Sequence, residues 1–326
     1  MKDFQKLIRK IPKHINFLKK KKRSILYIFV LLCLLFLVSV AIFDVVLRYY
    51  IFDKKVKEFP LKISGSLYPV FKSPITPDIS AKSAVVMDND SKVLLFSKNP
   101  NLLFSMASTT KIMTALISLD YYKMNDILTI ITERVEGVNV GFKIGEKLFF
   151  KDILYAMLLP SGNDAAFALA QNYPGGEIAF IKKMNEKAKL LHLDNTNFAD
   201  AIGLEDSRDY TTSLDLARLS LHALTNEVFA QIVATKTKGI SDVTGKNKYL
   251  LNNLNKLLGV QGVNGIKTGY TNEAGQVLAT SKVEIDSNDK KHNLIIVIMD
   301  SLDRFWDTSK ILYLVSGNIN YLSIHP

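Results

Sequence analysis

Ser105-Met106-Ala107-Ser108-Thr109-Thr110-Lys111-Ile112-Met113-Thr114-Ala115 is the stretch on which the reading of this chain turns. Ile112, Met113, Ala115, Leu116 and Leu119 recur at helical spacing, so a helix starts here. Ser108 and Lys111 stand three apart at its head, which puts both side chains on one face and within reach of each other. A serine hydroxyl is a poor nucleophile until its proton is removed. A lysine amine can remove it only if burial or a nearby cation lowers its pKa. The head of a helix also aims unpaired N–H groups at incoming negative charge. These are parts of a serine acyl-transfer site that works without histidine.

Two further polar motifs follow. Ser161-Gly162-Asn163 lies in the loop Pro160–Asp164 between two predicted helices, and Lys267-Thr268-Gly269 ends a short predicted strand. They supply a proton shuttle and a second cation, and Lys267 is the cation expected to bear on Lys111. Each motif alone has a structural explanation: a helix stop with Asp164 as a cap for the second, a hairpin turn at Gly269 for the third. The chain also carries competitors. Ser287-Asn288-Asp289-Lys290 repeats the S-x-x-K spacing, and Ser97-Lys98-Asn99 and Ser316-Gly317-Asn318 repeat S-x-N. Ser287 falls in a predicted strand–strand turn, where no helix aligns serine with lysine.

Outward from the motifs, Ser83–Met87 and Lys92–Ser97 are β-rich runs joined by the turn residues Asp88-Asn89-Asp90-Ser91, a hairpin. Helices are predicted over Phe150–Leu159, Ala165–Gln171, Glu177–Leu191 and Leu214–Thr225, the last capped by Thr212 or Ser213. Strand character returns at Val263–Gly269, Gln276–Glu284 and Asn293–Asp300, and Arg304–Ser316 reads as a terminal helix. Strands, then many helices, then strands again make an α+β fold: one antiparallel sheet built from both chain ends, with a helical insert.

The combination resembles the D-alanyl-D-alanine carboxypeptidases, the low-molecular-mass penicillin-binding proteins of the serine peptidase type. Residues 105–115 look like that family's nucleophile helix. Leu158-Leu-Pro-Ser-Gly-Asn-Asp-Ala-Ala looks like its second motif. Asn197-Phe through Gly203-Leu and Tyr210-Thr-Thr look like the segment that follows, and Gly262-Val-Asn-Gly-Ile-Lys-Thr-Gly-Tyr-Thr like the third. The resemblance covers about 81–316 and implies the β-lactamase/transpeptidase-like fold. It implies that Ser108 attacks the D-Ala-D-Ala carbonyl, Lys111 takes its proton, and Ser161 and Asn163 relay protons and hold the substrate amide. It further implies that Lys267 and Thr268 bind the terminal carboxylate, with Gly269, Tyr270 and Arg304 also binding substrate. Backbone N–H groups of Ser108 and Tyr270 would form the oxyanion hole, and Arg304 looks like the family's late arginine. β-Lactam antibiotics would be inhibitors. Many members carry a C-terminal β-domain and an amphipathic membrane helix; here the N-terminal span would replace that anchor.

That span is the 19 uncharged, mostly apolar positions Ile25–Phe43, roughly 28 Å of helix and close to a bilayer core. Of the net charge of +11, residues 1–23 carry +9, with ten Lys/Arg against Asp3. The rest of the chain keeps only +2, which is no footprint for nucleic acid. By the positive-inside rule 1–23 stays cytoplasmic, 24–44 is the anchor, 45–80 a Pro-punctuated linker and 81–326 the exported penicillin-binding serine peptidase domain. A cleaved signal peptide is the alternative, with Ser39-Val40-Ala41 as its small-residue site. The only cysteine, Cys33, lies in the span, so no disulfide and no Cys-ligated metal is expected outside it. His14, His192, His222, His292 and His325 contain no H-x-x-x-H pair, and no phosphate-binding Gly-Lys loop occurs, so neither metal nor cofactor is expected.

The function implied is a serine-type carboxypeptidase that removes the terminal D-alanine from peptidoglycan stem peptides. A β-lactamase or a peptidoglycan endopeptidase or transpeptidase would use the same motifs. Against a class A β-lactamase, no E-x-x-L-N occurs between Asn163 and Lys267: Glu177, Glu186, Glu205 and Glu227 all lack the asparagine. The alternative of another class is a non-catalytic wall-binding protein, which an intact motif set argues against.

Overall fold

Strand β2 (Ser83–Asp88) is buried at every position, and β10 (Lys291–Ser301) from Leu294 to Met299. Such runs need cover on both faces of a sheet. The computed structural model, which describes residues 27, 29–47, 67–132, 135–204, 207–286 and 289–323, provides it. Strands β3 (Leu94–Lys98), β2, β10, β9 (Gly275–Ile285) and β8 (Val263–Thr271) form one antiparallel sheet in that order. The chain's early strands thus pair with its late ones, Val85 opposite Val297 and Met87 opposite Ile295.

Period-2 alternation divides the core in two. Val85, Met87, Ile295, Val297 and Met299 face a large cluster under the helical insert. Ala84, Val86, Leu294, Ile296 and Ile298 face the terminal helix through Ile311, Leu312 and Val315. The insert comprises α2 (Lys111–Tyr121), α3 (Phe150–Leu158), α4 (Asn163–Gln171), α5 (Gly176–Leu190), α6 (Ser213–Ala223) and α7 (Glu227–Val233); α8 (Arg304–Val315) covers the opposite face. Thr212 caps α6 by accepting from the Asp215 N–H, and Asp303 caps α8 by accepting from Phe305 and Trp306.

Several elements differ from the sequence reading. Leu67–Phe71, within the expected linker, is strand β1 and pairs with β11 (Ile319–Ser323) beyond the last predicted helix. Order also precedes the expected domain start at 81: Asp307 accepts from the Ser80 and Ala81 N–H groups and from the Ser80 and Ser301 hydroxyls, which fastens this segment to α8. Two small sheets, β4 (Ile127–Thr129) with β5 (Lys147–Phe149) and β6 (Thr237–Ser241) with β7 (Lys248–Asn252), and the seven-residue α7 are too short to show a period.

The N-terminal unit is described by itself. Phe29–Leu47 is helix α1, 19 residues with mean hydropathy 3.0, extending four residues past the predicted apolar run. It is the one helix among the described residues long and apolar enough to cross a bilayer. The basic segment 1–23, most of the expected linker, and His14, Glu205, Ser287, Asn288 and His325 lie outside the described residues.

Candidate active site

Ser108 sits in a 3-10 turn, Ala107–Thr110, that feeds directly into α2 at Lys111. In a 3-10 turn residues i and i+3 eclipse, and Lys111 Nζ lies 3.1 Å from Ser108 Oγ. The turn is entered through Ala107 at φ +46°, left-handed backbone that an alanine adopts only at a cost of about 1–2 kcal/mol. Lys111 is wholly buried. Its ammonium group has two other partners, Asn163 Oδ1 and the Ile202 carbonyl, each at 2.7 Å. Burial drives the Lys111 pKa down to about 7, against the opposing pull of Asp200, Asp164 and Asp209. A neutral amine has two N–H bonds and a lone pair. The two short acceptors take the N–H bonds, so the lone pair is left facing Ser108 Oγ.

The second motif lies just past α3, which Pro160 closes. Ser161 has φ +67°, and its buried hydroxyl makes no hydrogen bond among the described residues. Asn163 begins α4 and is held on both sides. Its backbone N–H donates to Val138 O at 2.7 Å, and its side-chain amide N–H donates to Glu136 O at 2.5 Å. That second bond orients the amide so that Oδ1 faces Lys111. Asp164 does more than cap a helix: it accepts from Val140, Gly141 and Phe142 and so ties the loop that carries Glu136 to the head of α4.

Asp200 plays the matching part on the other side. It accepts from the N–H groups of Ile202, Gly203 and Leu204 and so shapes the turn whose Ile202 carbonyl holds Lys111. Gly203, at φ +84°, rests against the Ala107–Thr110 turn; a Cβ there would lie 2.0 Å from Ala107 O. Neither Asp164 nor Asp200 is distinguishable in the sequence from an ordinary cap or turn acid. Their task is visible only once distant segments meet.

The third motif runs along β8. Gly269 packs against the turn so closely that a Cβ would lie 3.1 Å from Met106 O and 3.3 Å from Ser108 N. Lys267 is buried and donates to Thr268 O at 3.0 Å. Its pKa falls well below the usual lysine value, first through burial and then through the charges of Lys111 and Arg304. Thr268 is buried beside it, whereas Tyr270 is exposed and donates its hydroxyl to Asn272 Oδ1. Arg304, at the head of α8, donates to the Gly269 carbonyl at 2.7 Å; burial lowers its pKa, opposed by Asp303. The structure therefore brings Ser108, Lys111, Asn163, Lys267, Gly269 and Arg304 together at the β8 edge of the sheet, with Ser161, Thr268 and Tyr270 one or two residues along the chain from them.

The competitors do not join them. Ser97 and Lys98 belong to β3, and the Asn99 amide donates to Lys82 O. Ser316 donates to Leu312 O at the end of α8, and the Asn318 amide donates to Ser73 O. Ser287 lies outside the described residues.

Comparison with known proteins gives one family. The family model for D-alanyl-D-alanine carboxypeptidase matches residues 71–302. The chain is 35% identical over 208 residues to the D-alanyl-D-alanine carboxypeptidase DacF of Bacillus subtilis, covering 62% of this chain and 54% of that one, so the match spans about half the relative's length. It is 34% identical over 222 residues to a D-alanyl-D-alanine endopeptidase of Pseudomonas aeruginosa, covering 66% and 71%. Among solved structures, the Streptomyces K15 DD-transpeptidase superposes with a TM-score of 0.68 at 29% identity, over 74% of this chain and 98% of that one.

Proposed function

The chain belongs to the D-alanyl-D-alanine carboxypeptidase family, and from that premise we propose that it removes the terminal D-alanine from peptidoglycan stem peptides through an acyl-enzyme on Ser108. The observation that carries this reading is the buried Lys111 amine, 3.1 Å from Ser108 Oγ and with its pKa near 7. A base poised near the working pH combines the right protonation state with a useful driving force.

In this mechanism Ser108 Oγ attacks the carbonyl of the penultimate D-alanine as its proton passes to Lys111 Nζ. The oxyanion that forms is met by the backbone N–H groups of Ser108 and Tyr270, which Gly269 allows to stand close together. The C–N bond then breaks, and the departing amine takes a proton from Lys111, relayed by Ser161, whose hydroxyl is engaged by no other group among the described residues. Asn163 holds Lys111 and the substrate amide. Water then cleaves the Ser108 ester with the same groups in reverse. Lys267 and Thr268 receive the terminal carboxylate, whose charge restores the proton that burial and neighbouring cations disfavour on Lys267. Arg304 holds β8 in place through the Gly269 carbonyl and adds positive charge to the same end. β-Lactams enter the same site and acylate Ser108.

Helix α1 crosses the membrane with 1–23 on the cytoplasmic side, and the serine peptidase domain, which includes β1 from Leu67, works outside it. The mean hydropathy of 3.0 over 19 residues and the basic segment before them support this.

Mass analysis of the products from a defined pentapeptide ending in D-Ala-D-Ala tests the activity. Free D-alanine and a tetrapeptide are expected with the protein and absent with Ser108→Ala. An enzyme that leaves the pentapeptide intact but separates cross-linked stem peptides would be an endopeptidase instead.

A further inference from the structure

Between the start of α3 and the β6–β7 hairpin lies a cavity of about 840 Å³, separate from the catalytic cluster. Three lysines line it, Lys151, Lys238 and Lys248. None of the three makes an ion pair among the described residues. Two are positioned by aromatic walls instead: Lys151 Nζ stands 5.6 Å from the Phe149 ring centroid and Lys238 Nζ 5.2 Å from that of Tyr155. A third ring, Tyr249, is fixed by its hydroxyl, which donates to the Glu146 carboxylate at 2.8 Å. The one acid in the wall, Asp152, is half-buried and lies close enough to feel Lys151 and Lys238 without bonding either. The cavity thus presents an excess of two positive charges on rigid walls, in a domain whose overall charge is nearly balanced. Unpaired ammonium groups converging on one concave site are a recognition feature for oxyanions.

Its position adds a second argument. Lys151 and Asp152 lie in the first turn of α3, and Ser161 follows the last. At 1.5 Å per residue the cavity stands roughly 14 Å from the second catalytic motif. A polymer lying in the cavity would keep a peptide branch within reach of Ser108.

We propose that this cavity is a second binding site, for a polymer bearing repeated carboxylate or phosphodiester groups, and that it holds wall-borne substrate beside the catalytic serine. The first half stands on the cavity alone; the second rests on the carboxypeptidase reading.

The test is calorimetric titration of the full chain in an uncharged detergent, with poly(glycerol phosphate) and with poly-γ-glutamate oligomers. At least one should bind, more weakly as salt is raised, and which one binds distinguishes the two chemistries. Binding should weaken at least ten-fold in the triple variant Lys151→Gln, Lys238→Gln, Lys248→Gln, and tighten about three-fold in Asp152→Asn. The lysines are exposed, so acylation by penicillin should persist in the triple variant and serves as its folding check. The same variant should hydrolyse a small D-Ala-D-Ala peptide as the wild type does, yet act about ten-fold more slowly on polymeric peptidoglycan. No binding of either polymer, or equal binding by the triple variant, overturns the proposal; the second outcome would assign binding elsewhere, as to the basic segment 1–23. Failure of the wild type on the small peptide would instead count against the carboxypeptidase reading and leave the binding result standing.

Discussion

In the proposed mechanism Lys111 must lose its proton near neutral pH and still keep its amine aimed at one hydroxyl. Burial meets the first demand and two carbonyl oxygens, of Asn163 and Ile202, meet the second. Three carboxylates, those of Asp200, Asp164 and Asp209, pull the pKa back up, so the value near 7 is a balance in which desolvation wins. In that mechanism the competent base is the neutral amine. Acylation by penicillin should therefore be slow below pH 6, rise tenfold per pH unit on the acid side, bend near pH 7 and level off above it. Stopped-flow acylation rates across pH 5 to 9 would show this; a rate that falls through neutrality would mean that charged Lys111 is the active form. The motif residues and their spacing were legible in the chain itself. Their electrostatics were not, because desolvation and the three carboxylates come from segments as distant in the chain as Asp209.

At the scale of elements, the site is an assembly of turns pressed together by acids that bind backbone. Asp164 closes the loop 136–142 onto α4, and Asp200 shapes the turn 202–204 that rests against the Ser108 turn. Gly203 shows how little slack is left. In Gly203→Ala the new Cβ meets a left-handed backbone and the Ala107 carbonyl together. A loss of about 2 kcal/mol is expected from strain, a fall of several degrees in Tm. Because the turn also sets Lys111, penicillin acylation should drop on the order of 100-fold, as misplacement by 1 Å can do. Thermal melts and acylation rates on the same sample check both; a full rate with a lowered Tm would separate the turn from the chemistry. The long helices and the central strands were readable from periodicity. The β1–β11, β4–β5 and β6–β7 pairs were not, since three to five residues carry no decisive period, and β1 and β11 in addition lie nearly a full domain length apart.

For the whole molecule, the same topology that unites both chain ends in one sheet leaves the early segment dependent on the last helix. Asp307 on α8 is the fastener. Burial raises its pKa, but hydrogen bonds from Ser80 and Ser301 side chains and from Ser80 and Ala81 backbone outweigh that and leave it below the usual carboxylate value. A depressed folded pKa contributes stability that is present above the unfolded value near 3.9 and is lost as pH falls through the folded one. Asp307→Ala should cost about 2–3 kcal/mol at pH 7, by leaving buried donors unpaired, and its deficit should shrink below about pH 4. Urea melts at pH 7 and pH 3.5 would measure the difference; an equal deficit at both would remove the charge from the account.

The central claim, that Ser108 with Lys111 forms a covalent intermediate, is tested most directly by intact-protein mass analysis after benzylpenicillin treatment and a chase, with peptide mapping of the adduct. One long-lived adduct on Ser108 is predicted in the wild type, and none in Ser108→Ala or Lys111→Ala, because members of one catalytic unit fail together. An adduct at another residue, normal acylation of Lys111→Ala, or rapid turnover of many equivalents of penicillin would contradict it.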